Sequence, residues 1–247
     1  MAKKPNDQLQ ASERFHFATT QWSMVLCAGG QEQHAAHIAL EQLCQRYWLP
    51  LHAYVRRRIT NVEDARDLTQ AFFTHLLEKN TVSHAMPERG RFRSFLLTAV
   101  KHFLINDHER QQAQKRCGGM KRLALDFESG ESRLSIEPAH EETPERIFER
   151  QWVLTLLETV MRRLQAEFGA SGKSKQYELL QGAITAGENL DYAYLAGELQ
   201  STAAAVRQMA TRLRKRYREL LREEVANTVD DPSEVDEEIR GLFRAFQ

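Results

Sequence analysis

Wherever this chain shows a hydrophobic pattern, its apolar residues recur three and four positions apart, and no stretch alternates with period two over the length of a strand. That spacing lines apolar side chains along one side of a helix, so the sequence predicts an all-α fold. Only 12 glycines and 6 prolines interrupt the 247 residues, which leaves room for long helices. No repeat of fixed period is present, and a chain of this length accommodates two small domains.

The first stripe runs from Ile38 to Arg58 through Leu40, Leu43, Tyr47, Leu51 and Tyr54, with Pro50 predicting either a kink or two shorter helices. Asn61 and Asp64 resemble a capping arrangement for a second helix that buries Ala65, Leu68, Phe72 and Leu76 and turns Glu63, Asp67, Gln70 and Thr74 outward. A connector from Asn80 to Gly90 leads to a third helix, from about Arg91 to Arg116, with Phe92, Phe95, Leu96, Ala99 and Phe103 on one stripe and its basic residues largely elsewhere. Together these helices predict a compact bundle.

Cys117, Gly118 and Gly119 break the pattern, and the acidic stretch that follows reads as a linker. Thr143, Pro144 and Glu145 supply an N-cap, a proline at the first helical position and an early acid. The helix they open carries Leu154, Leu157, Met161, Leu164 and Phe168, ends at Gly169 and Gly172, and is followed by a short helix around Tyr177, Leu180 and Ile184. The predicted organisation is an extension over 1–36, a helical module over 37–116, a linker over 117–142, a second module over 143–225 and an acidic extension over 226–247. In that last segment Ile239, Leu242, Phe243 and Phe246 predict an amphipathic helix that folds against the second module or a partner.

Charge is balanced overall, 34 basic against 34 acidic residues, yet segregated along the chain. Arg89 to Arg116 carries a net charge of plus five and Ala203 to Arg222 a net charge of plus six. Local field rather than net charge governs association with a polyanion, so the two blocks predict contact with a polyanion at two sites.

The most specific signal lies between Asp191 and Leu221. Asp191 caps a short helix bearing Leu195, Ala196 and Leu199, a turn follows at Gln200 and Ser201, and Thr202 caps a longer helix bearing Val206, Met209 and Leu213. This is the spacing of a helix-turn-helix, in which the second helix enters the major groove. Its first turns would present Thr202, Ala203, Ala204, Arg207, Gln208 and Thr211 to the groove, where Arg and Gln match base edges. Arg212, Arg214, Lys215 and Arg218 would meet phosphates.

With those residues in view, four segments in this order resemble the extracytoplasmic-function (ECF) type of bacterial RNA polymerase sigma factor. LCQRYWLPLHAYVRRR (Leu43 to Arg58) resembles its first helix, and DARDLTQAFFTHLLEK (Asp64 to Lys79) the helix that docks on the polymerase clamp. GRFRSFLLTAVKHFLINDHERQQAQKR (Gly90 to Arg116) resembles the promoter-melting, minus-ten segment, and LDYAYLAGELQSTAAAVRQMATRLRKRYRELLREEV (Leu190 to Val225) the minus-thirty-five domain. The flanks resemble an ECF-like subgroup abundant in planctomycetes. The resemblance implies sigma region 2 over 37–116 and region 4 over 143–225, with core RNA polymerase and double- and single-stranded promoter DNA as partners and an anti-sigma factor as a further candidate.

By the same resemblance Asp67, Gln70 and Thr74 would touch the polymerase, and Arg91, Arg93, Lys101, Asn106 and Arg110 the nontemplate single strand near minus ten. The loop from Thr81 to Arg89 would help form a pocket for a flipped base. Two departures stand out. Ala71 occupies the place of a customary Glu in the clamp-docking helix, and Gln200 that of a customary Gly in the turn, which predicts either a strained left-handed residue or a different turn.

Other functions find little footing in the residues. Cys27, His34, His37 and Cys44 lack convincing zinc spacing, and the three cysteines make a poor disulfide framework. No glycine-rich phosphate loop and no nucleophile-base constellation is present, so neither a metal, a cofactor nor catalysis is expected. No apolar run is long enough for a membrane span and the amino terminus lacks a secretory-signal pattern, so a cytoplasmic location is expected. Two alternatives to the sigma reading remain at this level: a stand-alone helix-turn-helix regulator, and a degenerate sigma-like protein acting only through protein contacts.

Overall fold

The computed structural model describes residues 33–78, 91–114, 142–185, 190–229, 231–244 and 246. The expected linker, the loop before the third helix and most of the amino-terminal extension lie outside the described residues. Within them the regular structure is helical: α1 (Gln33–Arg58), α2 (Val62–Glu78), α3 (Phe92–Gln114), α4 (Pro144–Ala170), α5 (Ser174–Leu180), α6 (Gly182–Thr185), α7 (Tyr192–Glu198), α8 (Ala203–Ala226) and α9 (Val235–Arg244), the last preceded by a 3-10 turn at Pro232–Glu234. The expected all-α fold is observed.

α1 starts earlier than its apolar stripe predicts and continues through Pro50 as one helix. Proline there forfeits one amide hydrogen bond. Burial of Pro50 and of Leu49, Leu51, Ala53, Tyr54 and Val55 around it offsets that loss. Asn61 Oδ1 accepts from the amides of Glu63 and Asp64 at 2.9 and 3.3 Å, so the second helix opens on the expected cap. α2 buries Ala65, Phe72 and Leu76 as expected, and also Phe73, which stacks on Trp48 of α1 with ring centroids 5.8 Å apart. On α3, Phe92 is buried, while Phe95 and Phe103 pack half-buried on the core.

The predicted stripe of α4 is displaced. Phe148, Trp152, Leu156, Val160 and Leu164 form the deep stripe, and Leu157 and Met161 lie on its half-buried flank. The physical reason is that α4 packs along α1 on one side and along α8 on the other. A helix between two neighbours buries more than one stripe, and a single period-3.6 template picks out the wrong edge of so wide a face. Consequently the helices of the two predicted modules share one hydrophobic core, running from Leu43 and Tyr47 through Trp152 to Val206 and Leu213.

Both ends of α4 follow from local chemistry. Thr143 Oγ1 accepts from the Arg146 amide at 3.3 Å, with Pro144 at the first helical position. At the far end the Lys173 amide donates to the Phe168 carbonyl at 2.8 Å and the Gly172 amide to the Gly169 carbonyl at 3.0 Å, with Gly172 at φ +67°. This paired closure around a left-handed residue is a Schellman motif. The expected single helix after it is two, Ser174–Leu180 and Gly182–Thr185, separated at Gln181.

Candidate nucleic-acid interface

α7, the turn and α8 form the expected helix-turn-helix. Asp191 Oδ1 accepts from the amides of Ala193 and Tyr194, each at 3.0 Å, and Thr202 Oγ1 accepts from the Ala205 amide at 3.2 Å. Between these caps the Ser201 amide donates to the Ala196 carbonyl at 2.9 Å and the Gln200 amide to the Gly197 carbonyl at 3.2 Å. Gln200 therefore takes the left-handed position of a second Schellman motif, at φ +48°, alone among the described non-glycine residues in having positive φ. Of the two outcomes its sequence position allowed, the strained residue is the one adopted.

Leu195, Ala196, Val206 and Ala210 are buried in the angle between the helices, with Leu199 and Met209 half-buried beside them. Fixing that side of α8 turns the other side out. Ala204, Arg207, Gln208, Thr211, Arg212, Lys215 and Arg218 are all exposed, and Ala203 is half-buried at the start of the helix. The Thr211 hydroxyl donates to the Arg207 carbonyl at 2.9 Å.

Arg214 differs from the other basic residues expected on phosphates. It is half-buried, donates from Nε to the Ala183 carbonyl at 2.9 Å and from Nη2 to the Tyr192 hydroxyl at 3.3 Å, and so ties α8 to α6 and α7. Arg216 is likewise turned to the protein. Its guanidinium meets the Glu167 carboxylate through two hydrogen bonds of 2.7 and 2.8 Å and also reaches Glu219 and Glu223. These bonds raise the pKa of Arg216 and hold the Glu167 carboxyl below the usual carboxylate range. From Arg207 to Arg218 the basic residues of α8 thus divide into an outer set facing solvent and an inner pair that anchors the helix.

Tyr192, which the sequence did not single out, lies at this division. The Arg207 guanidinium sits over its ring, 5.3 Å from the centroid, while its hydroxyl accepts from Arg214. A tyrosine just after a cap carries no periodic signal, and only the crossing of α7 and α8 brings it to both arginines.

On α2, Asp67, Gln70 and Thr74 share a half-buried face, and the Thr74 hydroxyl donates to the Gln70 carbonyl at 3.1 Å. On α3, Asn106 is exposed, and the side chain of Arg110 lies outside the described residues. Arg91, just before α3, and Arg93 and Lys101 on it are engaged by carboxylates. Arg91 Nη2 lies 2.5 Å from Glu238 Oε2, Arg93 pairs with Glu238 Oε1 and, at 3.0 Å, with Glu149, and Lys101 Nζ lies 2.9 Å from Glu145. The Lys101 bond holds the Glu145 carboxyl below its ordinary value. Far from lying off the apolar stripe, Arg93 is buried and stacks over the Trp152 ring at 4.4 Å.

The suggested zinc set finds no support around Cys44. That residue is buried in the core, and burial, with Glu41 nearby, pushes its thiol up to about 12. Cys27 lies outside the described residues. Among those described, no group of His, Cys, Asp and Glu is arranged to hold a metal ion, and no helix is long and apolar enough to cross a membrane.

An all-helical chain with a capped helix-turn-helix and a solvent-facing basic stripe has the build of a transcription protein that contacts DNA. A family model described as ECF sigma factor matches residues 23–231, and the chain belongs to that family. No curated protein and no solved structure matches it. As an ECF sigma factor the protein has a role in transcription initiation, and the family implies core RNA polymerase and promoter DNA as its partners.

Proposed function

We propose that this sigma factor binds core RNA polymerase in the cytoplasm and directs it to promoters through two surfaces, one reading duplex DNA and one capturing the opened strand. The observation that carries the reading is the solvent-facing stripe of α8, fixed by the caps at Asp191 and Thr202. Arg207 and Gln208, in the first turns of the helix, face outward where they reach base edges, with Ala204 and Thr211 beside them for apolar contact. Arg212, Lys215 and Arg218 continue the stripe toward phosphates. Thr202 and Ala203 bring the amino-terminal end of α8, and its partial positive charge, toward the backbone.

In this reading Asp67, Gln70 and Thr74 dock on the polymerase, and Arg91 with Arg93, Lys101, Asn106 and Arg110 of α3 meets the nontemplate strand. The protein supplies no bond-making chemistry. Contacts made only with the separated strands offset the cost of opening the duplex.

Run-off transcription with core polymerase on a genomic promoter library tests the proposal. Selective transcripts sharing two upstream motifs are expected, and Arg207→Ala with Gln208→Ala should relax the upstream motif by about 1–3 kcal/mol per lost contact. Unchanged promoter choice in that double variant would remove α8 as the reader.

A further inference from the structure

The basic residues of α3 are already occupied, by this chain's own acids. Glu238 of α9 has a fully buried side chain, 0 % exposed, and bridges Arg91 and Arg93, the first 45 % and the second 7 % exposed. Glu149 of α4 meets Arg93 from another side, and Glu145, at the start of α4, meets both Lys101 and Arg58 of α1. So Arg91, just before α3, and Arg93 and Lys101 on it each face a carboxylate from the carboxy-terminal half of the chain.

Such an arrangement needs a specific fold of the acidic extension. α9 buries Val235, Glu238 and Leu242 along one stripe, packs on α4 and α8, and is tied to α8 by an ion pair between Asp236 and Arg222. The apolar contacts place the helix, and the placement puts Glu238 out of water between two guanidiniums. A carboxylate so desolvated is held only while its partners stay, and breaking such a bridge from one side leaves an unpaired buried charge.

We propose that α9, together with the first turns of α4, is an acidic latch that occupies the single-strand surface of α3 in the free protein and is displaced when that surface takes DNA. Carboxylate and phosphate compete for the same guanidinium faces. Arg91 becomes available only when Glu238 leaves, and Arg93 only when Glu149 leaves as well, which requires α9 to shift from its seat on α4 and α8. The free factor therefore holds its strand-capturing surface closed, and the opened promoter strand or polymerase docking shifts the population to the open form. The proposal rests on the reading of α3 as the single-strand surface.

The test measures binding of a fluorescein-labelled oligothymidylate to the full-length protein by anisotropy across a salt series, for wild type, Glu238→Gln, Glu149→Gln, and Glu238→Gln combined with Arg91→Ala and Arg93→Ala. If the open form is about a tenth of the wild-type population, Glu238→Gln tightens binding about tenfold. One newly available phosphate contact, through Arg91, steepens the salt dependence by about 0.7. The gain should vanish when both arginines are removed. Glu149→Gln, on a partly exposed residue, should give a smaller gain in the same direction and serves as the readout if Glu238→Gln does not fold.

No gain in the folded carboxylate variants, or a gain that survives loss of both arginines, overturns the latch. In that event, Arg91→Ala with Arg93→Ala still weakening permanganate-detected promoter opening by holoenzyme would leave the α3 reading intact. If the arginine substitutions change neither probe binding nor opening, the α3 reading itself fails and the latch with it.

Discussion

Gln200→Gly is expected to stabilise the protein, by an amount that follows from its two Schellman motifs. The turns after α4 and α7 share the same pair of closing hydrogen bonds, but the left-handed residue is Gly172 in one and Gln200 in the other. A side chain in that conformation brings Cβ against the following carbonyl, at about 1–2 kcal/mol. Glycine removes this strain and returns about 0.4–1 kcal/mol through the greater freedom of its unfolded chain. The net gain is therefore about 0.5–1 kcal/mol, or about 1–4 °C in Tm for a chain of this size.

Gln200 is exposed, so little packing is lost on substitution. Urea unfolding of wild type, Gln200→Gly, Gln200→Ala and Gln200→Val would give the ranking. The expected order is Gly above Gln, Ala close to Gln, and Val lowest, because a β-branched residue crowds the left-handed conformation further. A glycine variant no more stable than the alanine variant would show that the turn holds no such strain. Gly172→Ala supplies the reciprocal control, since a Cβ there meets open space and any loss of stability comes from the backbone alone.

Other outcomes follow from the same structure. Lys215→Ala should weaken binding to all duplex sequences alike and reduce the salt slope by about 0.9, as expected for one lost phosphate contact, measured by titration in rising salt. Tyr192→Phe keeps the ring under Arg207 and loses only the hydroxyl contact with Arg214, so it should preserve promoter discrimination better than Tyr192→Ala, checked by competition binding with single-base variants of the selected motif. Glu167 and Glu145 have folded pKa values below the ordinary 4.5, so the stability they contribute is fully present above 4.5 and is lost as pH falls through the folded values. Glu167→Gln should accordingly flatten the loss of stability below pH 4.5, read from urea midpoints across that range.

The parts of this protein that could be read from its residues are those settled within a few positions of the chain. Thr143 with Pro144, Asn61, Asp191 and Thr202 each act on amides two or three residues away, and each cap forms as the local sequence predicts. The helix-turn-helix is legible for the same reason, since its two helices and their buried contacts lie within one short segment. The charged residues resisted that reading. Arg207, Arg212 and Arg218 face solvent while Arg214 and Arg216 anchor the helix, although all five belong to one basic run. Their spacing separates them only once it is known which neighbours cover which side.

The sequence by itself determined a helical chain, several of its helix caps and the helix-turn-helix, because hydrophobic period and side-chain capping act over one or two turns. Tertiary structure alone decided that α4 is covered on two sides, that Tyr192 supports Arg207, and that Glu238 lies against Arg93, 145 positions earlier in the chain. An ion pair across that separation leaves no periodic trace. Its partners meet only because the shared core of α1, α4 and α8 sets where α3 and α9 can lie.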